Sequence, residues 1–158
     1  MLKDTNSKSV PEVDWESLTF SFQETDRMYI ATCKINEDWQ PGIMQDFQDL
    51  RLSPAAGVIN YGQGLFEGMK ARQAEDGRIL LFRPELNARR AQEGCRRLGM
   101  EVVSEEMFLD AVYRAVEENK RWVPPHGRGE LYIRPLLFGS GAILGVAPAP
   151  EYTFLVYT

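Results

Sequence analysis

The chain has 158 residues, 44% of them hydrophobic and 26% charged, with a net charge of −5. That length suits one domain, which can bury roughly 70% of the surface its unfolded chain exposes. The acidic balance speaks against nucleic acid, because phosphate binding needs a basic surface, and no apolar run approaches the ~18 residues of a membrane span. Neither partner is expected.

Residues 1 to 13 are polar and are expected to form a mobile N-terminal segment, with one domain over 14 to 158. Met28-Tyr-Ile-Ala-Thr-Cys-Lys34 is rich in β-formers and reads as a strand. Asn36 to Gly42 carries a Pro-Gly pair and reads as a turn. The run Asn60-Tyr-Gly-Gln-Gly-Leu-Phe-Glu-Gly-Met-Lys70 sets two aromatics and an acid among three glycines, a composition that can wall a ligand pocket. Gly77 closes a polar turn, and Arg78-Ile-Leu-Leu-Phe82 follows as a buried strand.

Pro84 suits the first turn of a helix, along which Asn87, Ala91, Gly94, Cys95 and Leu98 share a face, with Gly99 as the stop. Ser104 gives a weak cap signal for a second helix, where Phe108, Leu109, Ala111, Val112, Ala115 and Val116 form an apolar stripe. That stripe is core rather than a cofactor box. Trp122-Val-Pro-Pro125 ends the helix, and 131–138 and 152–157 are strands. Strands, two main helices, then strands predict an α+β fold: a mostly antiparallel sheet with the two helices packed on it. The last strand runs to the terminus without a closing element, which suggests a domain cut from a longer chain.

Cys33 and Cys95 are too few for a disulfide framework and are expected as reduced, part-buried thiols of a cytosolic-type compartment. The one histidine, His126, sits in a Pro-Pro-His-Gly loop without any metal-ligand spacing, so no metal is expected. The first ten residues lack the apolar stretch of a signal peptide, giving a cytoplasmic reading, with a plastid or mitochondrion following if a presequence was removed.

Two glycine patterns, at 62, 64 and 68 and at 139, 141 and 145, both miss GxGxxG and lie outside any βαβ unit. Turns and close packing explain Gly139 and Gly141 when read alone. Lys70 lies near glycines and aromatics, as a Schiff-base lysine could, but its partner-free strand-start setting reads as an ordinary lysine. Arg90 flanks the core face of its helix, where an arginine normally snorkels to solvent, although its fork would suit a phosphate. Arg134 sits inside an apolar strand, and two readings stay open there. One is an ion pair with Glu67 or Glu130; the other is a site residue bonded to Tyr61 or Tyr132.

The 60–70 run, Leu81-Phe-Arg-Pro-Glu-Leu-Asn-Ala-Arg-Arg90 and Leu131-Tyr-Ile-Arg-Pro-Leu-Leu137, continuing through Gly139 to Gly145, together resemble the branched-chain amino-acid aminotransferases. These are pyridoxal-phosphate-dependent enzymes of fold type IV, and the tail from Ala147 to Phe154 is similar to their plant members in particular. The resemblance runs from about Val13 to Thr158. It implies amino transfer between leucine, isoleucine or valine and 2-oxoglutarate, with pyridoxal 5'-phosphate as cofactor. Arg90 matches the arginine that holds the cofactor phosphate. Tyr61, Phe66, Tyr132 and, on a weaker alignment, Phe20 match walls of the substrate pocket, and Arg134 matches the arginine beside them. Leu144 and Val146 match a loop reaching over the neighbouring subunit's site, which implies a homodimer.

Lys70 matches a position that is not the Schiff-base lysine, which the resemblance puts beyond Thr158 in a larger domain. No catalytic residue is therefore expected within these 158, and the chain is expected to be a truncated product that does not turn over alone. The alternative is a non-catalytic subunit pairing with a full-length relative. A substrate change towards D-amino acids or aminodeoxychorismate is disfavoured by Tyr61, Phe66 and Tyr132. Arg72-Gln73 and Gly99 depart from the family pattern.

Overall fold

The computed structural model describes residues 13–17, 19 and 21–158. The expected mobile segment falls almost wholly outside them, as does Phe20. Strand β1 (Arg27–Lys34) is followed by β2 (Ile43–Asp46), a short helix α1 (Gly57–Tyr61), β3 (Gly64–Phe66), β4 (Met69–Gln73) and β5 (Ile79–Leu81). Helices α2 (Pro84–Leu98) and α3 (Glu105–Glu118) come next, then a 3-10 turn at Lys120–Trp122, β6 (Leu131–Gly139) and β7 (Glu151–Tyr157). The strands form one antiparallel sheet in the order β2-β1-β7-β6-β4-β5, as the sequence predicts for an α+β fold. β6 is long enough to take two partners on one side: β4 beside Leu131 to Ile133, and β3 beside Leu136 to Phe138.

Local chemistry accounts for both long helices. Pro84 opens α2, and Gly99 closes it in the left-handed conformation that glycine adopts without strain. In α3 the Ser104 Oγ accepts from the Met107 N–H at 3.0 Å, so the weak cap signal marks a working cap, and Glu105 and Glu106 lie at the positive end of the helix dipole. Both helices cover one face of the sheet. There Ala91, Cys95, Phe108, Val112, Ile133, Leu137 and Phe154 form the main core, with Phe108 stacked on Phe154 at 5.8 Å. The other face carries a smaller cluster of Met28, Phe138 and Leu155, partly roofed by Phe47 and Val58.

The structure corrects three expectations. Leu98 is exposed, because the last turn of α2 rotates off the core. The strand expected at 78–82 is a three-residue edge strand with Phe82 in solvent, since it has only β4 as a partner. α3 stops at Glu118, before the prolines, because the buried Asn119 side chain takes over its end. Its amide bonds Ala115 O and Arg27 O, and its carbonyl accepts from the N–H groups of Asp26 and Arg27.

Candidate functional site

Strand alternation builds the site. Along β6, Leu131, Ile133, Pro135 and Leu137 are buried towards the helices, and Tyr132, Arg134 and Leu136 project from the other face. Register puts Phe66 opposite Leu136 and Lys70 opposite Tyr132 on that same face. The Arg134 guanidinium lies over the Phe66 ring at 4.2 Å and donates to the Tyr132 hydroxyl at 3.0 Å. A cation held against an aromatic face gains about 0.5–2 kcal/mol, more as water is excluded.

The ion-pair reading of Arg134 is not realised. Glu67 is taken by Arg90, and Glu130 by Lys70 at 2.6 Å and Arg72 at 2.5 Å. Buried Arg134 Nε has no hydrogen-bond partner among the described residues. Lys70 is therefore not partner-free as expected. Its amine is a paired surface charge, not the desolvated amine that Schiff-base chemistry needs.

Two clefts meet at Tyr132. One, of about 480 Å³, is lined by Tyr132 and Arg134 with Phe22, Trp122, Arg128 and Tyr157. The other, of about 790 Å³, is lined by Tyr132 with Gly68, Lys70, Asn87, Arg90 and Glu130. Gly68 permits this arrangement, because a Cβ there would overlap the Tyr132 hydroxyl. At the second cleft, Arg90 grips Glu67 with Nε at 3.0 Å and Nη2 at 2.7 Å, which raises the pKa of its guanidinium further. Asn87, one turn earlier on α2, donates to the same carboxylate at 2.8 Å and to Gly68 O at 3.2 Å. The sequence offered Glu67 only as a partner for Arg134 and Asn87 only as a core-face residue, not as the pair that meets Arg90. An acid between Phe66 and Gly68 was visible, but its partner stands 23 residues away and needs the packing of α2 to be found.

The remaining site residues lie apart from this group. Tyr61 ends α1 and donates its hydroxyl to Leu144 O in the loop between β6 and β7. Among the described residues no hydrogen bond or ring contact joins it to Phe66, whose ring meets Arg134 instead. Gly62, left-handed at φ 63°, turns the chain between them. Leu144 and Val146 project into solvent, 87% and 92% exposed, from a loop anchored by Gly57 N–H to Gly141 O and Ile143 N–H to Ala55 O. Among the described residues, no group of His, Cys, Asp and Glu could hold a metal ion, and no helix is long and apolar enough to cross a membrane.

No protein-family model matches the chain. Curated relatives do. It is 56% identical over 158 residues to branched-chain amino acid aminotransferase 2, chloroplastic, of Humulus lupulus, covering 99% of this chain and 39% of that protein. This chain belongs to the branched-chain aminotransferase family. It spans about two-fifths of the length of the curated relatives it matches, in their N-terminal part. Their names include chloroplastic and mitochondrial forms. Among solved structures, the branched-chain aminotransferase of Thermoproteus uzoniensis with norvaline has the same fold over 84% of this chain and 39% of its own, with a TM-score of 0.65 at 19% identity. A branched-chain amino acid aminotransferase complexed with N-(5'-phosphopyridoxyl)-L-glutamate matches over 85% of this chain and 41% of its own, with a TM-score of 0.60 at 23% identity.

Proposed function

We propose that this chain contributes the small-domain side of a branched-chain transaminase site, with Arg90 on the phosphate of pyridoxal phosphate and Phe66, Tyr132 and Arg134 around the substrate side chain. The observation that carries this reading is the cation–aromatic stack of Phe66, Arg134 and Tyr132, beside a cleft whose other wall bears Arg90. An arginine fork suits a phosphate because it donates two parallel hydrogen bonds. Rings beside it give an apolar box for a branched side chain, where one methylene is worth roughly 1–3 kcal/mol of discrimination.

The cofactor, when bound, supplies the electron sink for proton loss at the amino acid α-carbon. The chain's own residues orient and exclude: Arg90 fixes the phosphate, Tyr132 and Arg134 set the polar edge, and Phe66 keeps water from the side chain. None of its described lysines is set up as a nucleophile, Lys70 and Lys120 being ion-paired in the open. We assign Tyr61, Leu144 and Val146 to a second subunit's site in a homodimer, and keep Phe20 as a further wall on the resemblance alone. The exposure of Leu144 and Val146 also supports the second reading, a subunit that pairs with a longer relative. A plastid or mitochondrial setting follows the names of the relatives.

Borohydride reduction of the chain with pyridoxal phosphate, read by mass spectrometry, tests this division of labour. No stoichiometric adduct is expected. A single-lysine adduct with transaminase activity would overturn it. Arg90→Lys should abolish the preference for pyridoxal phosphate over pyridoxal.

A further inference from the structure

Arg90 does not stand alone at its cleft, and the way it is held has a directional consequence. A guanidinium offers oxyanions two useful edges: the side edge of Nε and one Nη, and the end edge of the two Nη groups. Glu67 occupies the side edge, with Oε1 on Nε and Oε2 on Nη2. Nothing among the described residues bonds Nη1, so the end edge stays open at the cleft. Glu67 is itself fixed, its side chain only 13% exposed. Its backbone N–H bonds Pro135 O at 2.9 Å, and the buried Asn87 amide bridges Glu67 Oε2 and Gly68 O.

We propose that Glu67, braced by Asn87, is a positioning residue that holds the side edge of Arg90 so that its end edge presents two N–H donors to a phosphate. This rests on the reading of Arg90 as the phosphate-holding residue. Charge alone would give the opposite sign. A carboxylate beside the arginine offsets its charge, so removing it should tighten anion binding. The Arg90 side chain is 56% exposed, where solvent and salt weaken that repulsion. A free arginine must instead lose rotamer freedom to offer both donors together, and the loss of one charge-assisted bond costs about tenfold in affinity. Positioning therefore outweighs repulsion at this site.

The sign of the effect is the test. Inorganic phosphate is titrated into the chain and followed by the amide resonances of Gly68 and Arg90, with the remote Trp39 indole as a check that each variant is folded. Glu67→Gln should weaken phosphate binding about tenfold, and Glu67→Asp should fall between it and the parent. In an Arg90→Lys background, which lacks the fork, Glu67→Gln should cause no further loss, whereas an independent structural effect would add. Unchanged or tighter binding by Glu67→Gln, with Arg90→Lys still weakened, overturns the positioning role and leaves the Arg90 reading standing. If the parent chain shows no saturable response, or Arg90→Lys binds as the parent does, the Arg90 reading falls and the positioning role with it.

Discussion

The two faces of this sheet are made by the same strands and answer different demands. Towards the helices, Ile133, Leu137, Phe154 and Val156 are shut away against α2 and α3, where the buried Tyr152 hydroxyl is satisfied by Gly99 O. One residue along on β6, Tyr132 and Arg134 lie half-buried and bonded to one another, Tyr132 lining both clefts and Arg134 one of them. Stability is concentrated on the first face. The second keeps an arginine over an aromatic ring, with one buried donor that has no partner among the described residues, a costly state for the folded chain by itself. Strand alternation lets one nine-residue segment do both.

Removing a ring from each face should break the symmetry between them most plainly. Phe154→Ala deletes a side chain touched by Tyr29, Trp39 and Phe108 in the closed core, and should cost about 3–5 kcal/mol. Phe66 is 60% exposed, so Phe66→Ala should cost about 1 kcal/mol or less, most of it the lost contact with Arg134. Urea unfolding of the two variants measures the gap. Equal losses would mean that the Phe66 face carries stability as well as a site.

Glycines sharpen the same contrast at a smaller scale. A Cβ at Gly42 would run into the ring of Tyr29, which is fully buried in the main core, and one at Gly68 would meet the hydroxyl end of Tyr132 beside a cleft. Tyr29 has nowhere to go, so Gly42→Ala should destabilise by about 2–3 kcal/mol. Tyr132 can swing into open space, so Gly68→Ala should cost about 1 kcal/mol in stability while breaking the Arg134–Tyr132 bond. Thermal unfolding reads the first effect, and a shift of the Tyr132 ring resonances reads the second. A Gly68→Ala chain with unmoved Tyr132 resonances would show that the glycine does not hold the site open.

The elements legible in the sequence are those that carry their own instructions. α2 has proline as its first residue and glycine after it, α3 has a helical apolar stripe, and β1, β6 and β7 are long runs of β-formers. β2, β3 and α1 have three to five residues each and exist through their pairing with β1, β6 and the loop beyond, so no local pattern announces them. The candidate site divides in the same way. Residue types in the glycine–aromatic run pointed to a pocket, but which side chains meet is a tertiary fact. Tyr61 and Phe66 are five apart in sequence and part company at Gly62, while Lys70 finds Glu130 and Arg90 finds Glu67 across other elements. The open question at Arg134 closes only when both candidate carboxylates prove to be engaged elsewhere.

At the seam where the first strand meets the 3-10 turn, Asp26 gives the smallest of these effects and a test through pH. Its carboxylate takes two bonds of 2.5 Å from Arg121 and one of 3.1 Å from the Trp122 indole, and the Arg121 bond holds its pKa below the ordinary 3.8 despite partial burial. A depressed native pKa means that the unfolded chain binds the proton more readily. The stabilisation is therefore full above the unfolded value and is lost as pH falls through the lower native one. Because both side chains are about one-third exposed, solvent screening limits the contribution to about 1 kcal/mol or less. Asp26→Asn should be less stable than the parent near pH 6, with the difference shrinking below about pH 4 as the parent's carboxylate is neutralised. Urea midpoints of both chains across that range check it. A difference that stays constant with pH would assign the variant's loss to hydrogen-bond geometry and remove the charge from this seam.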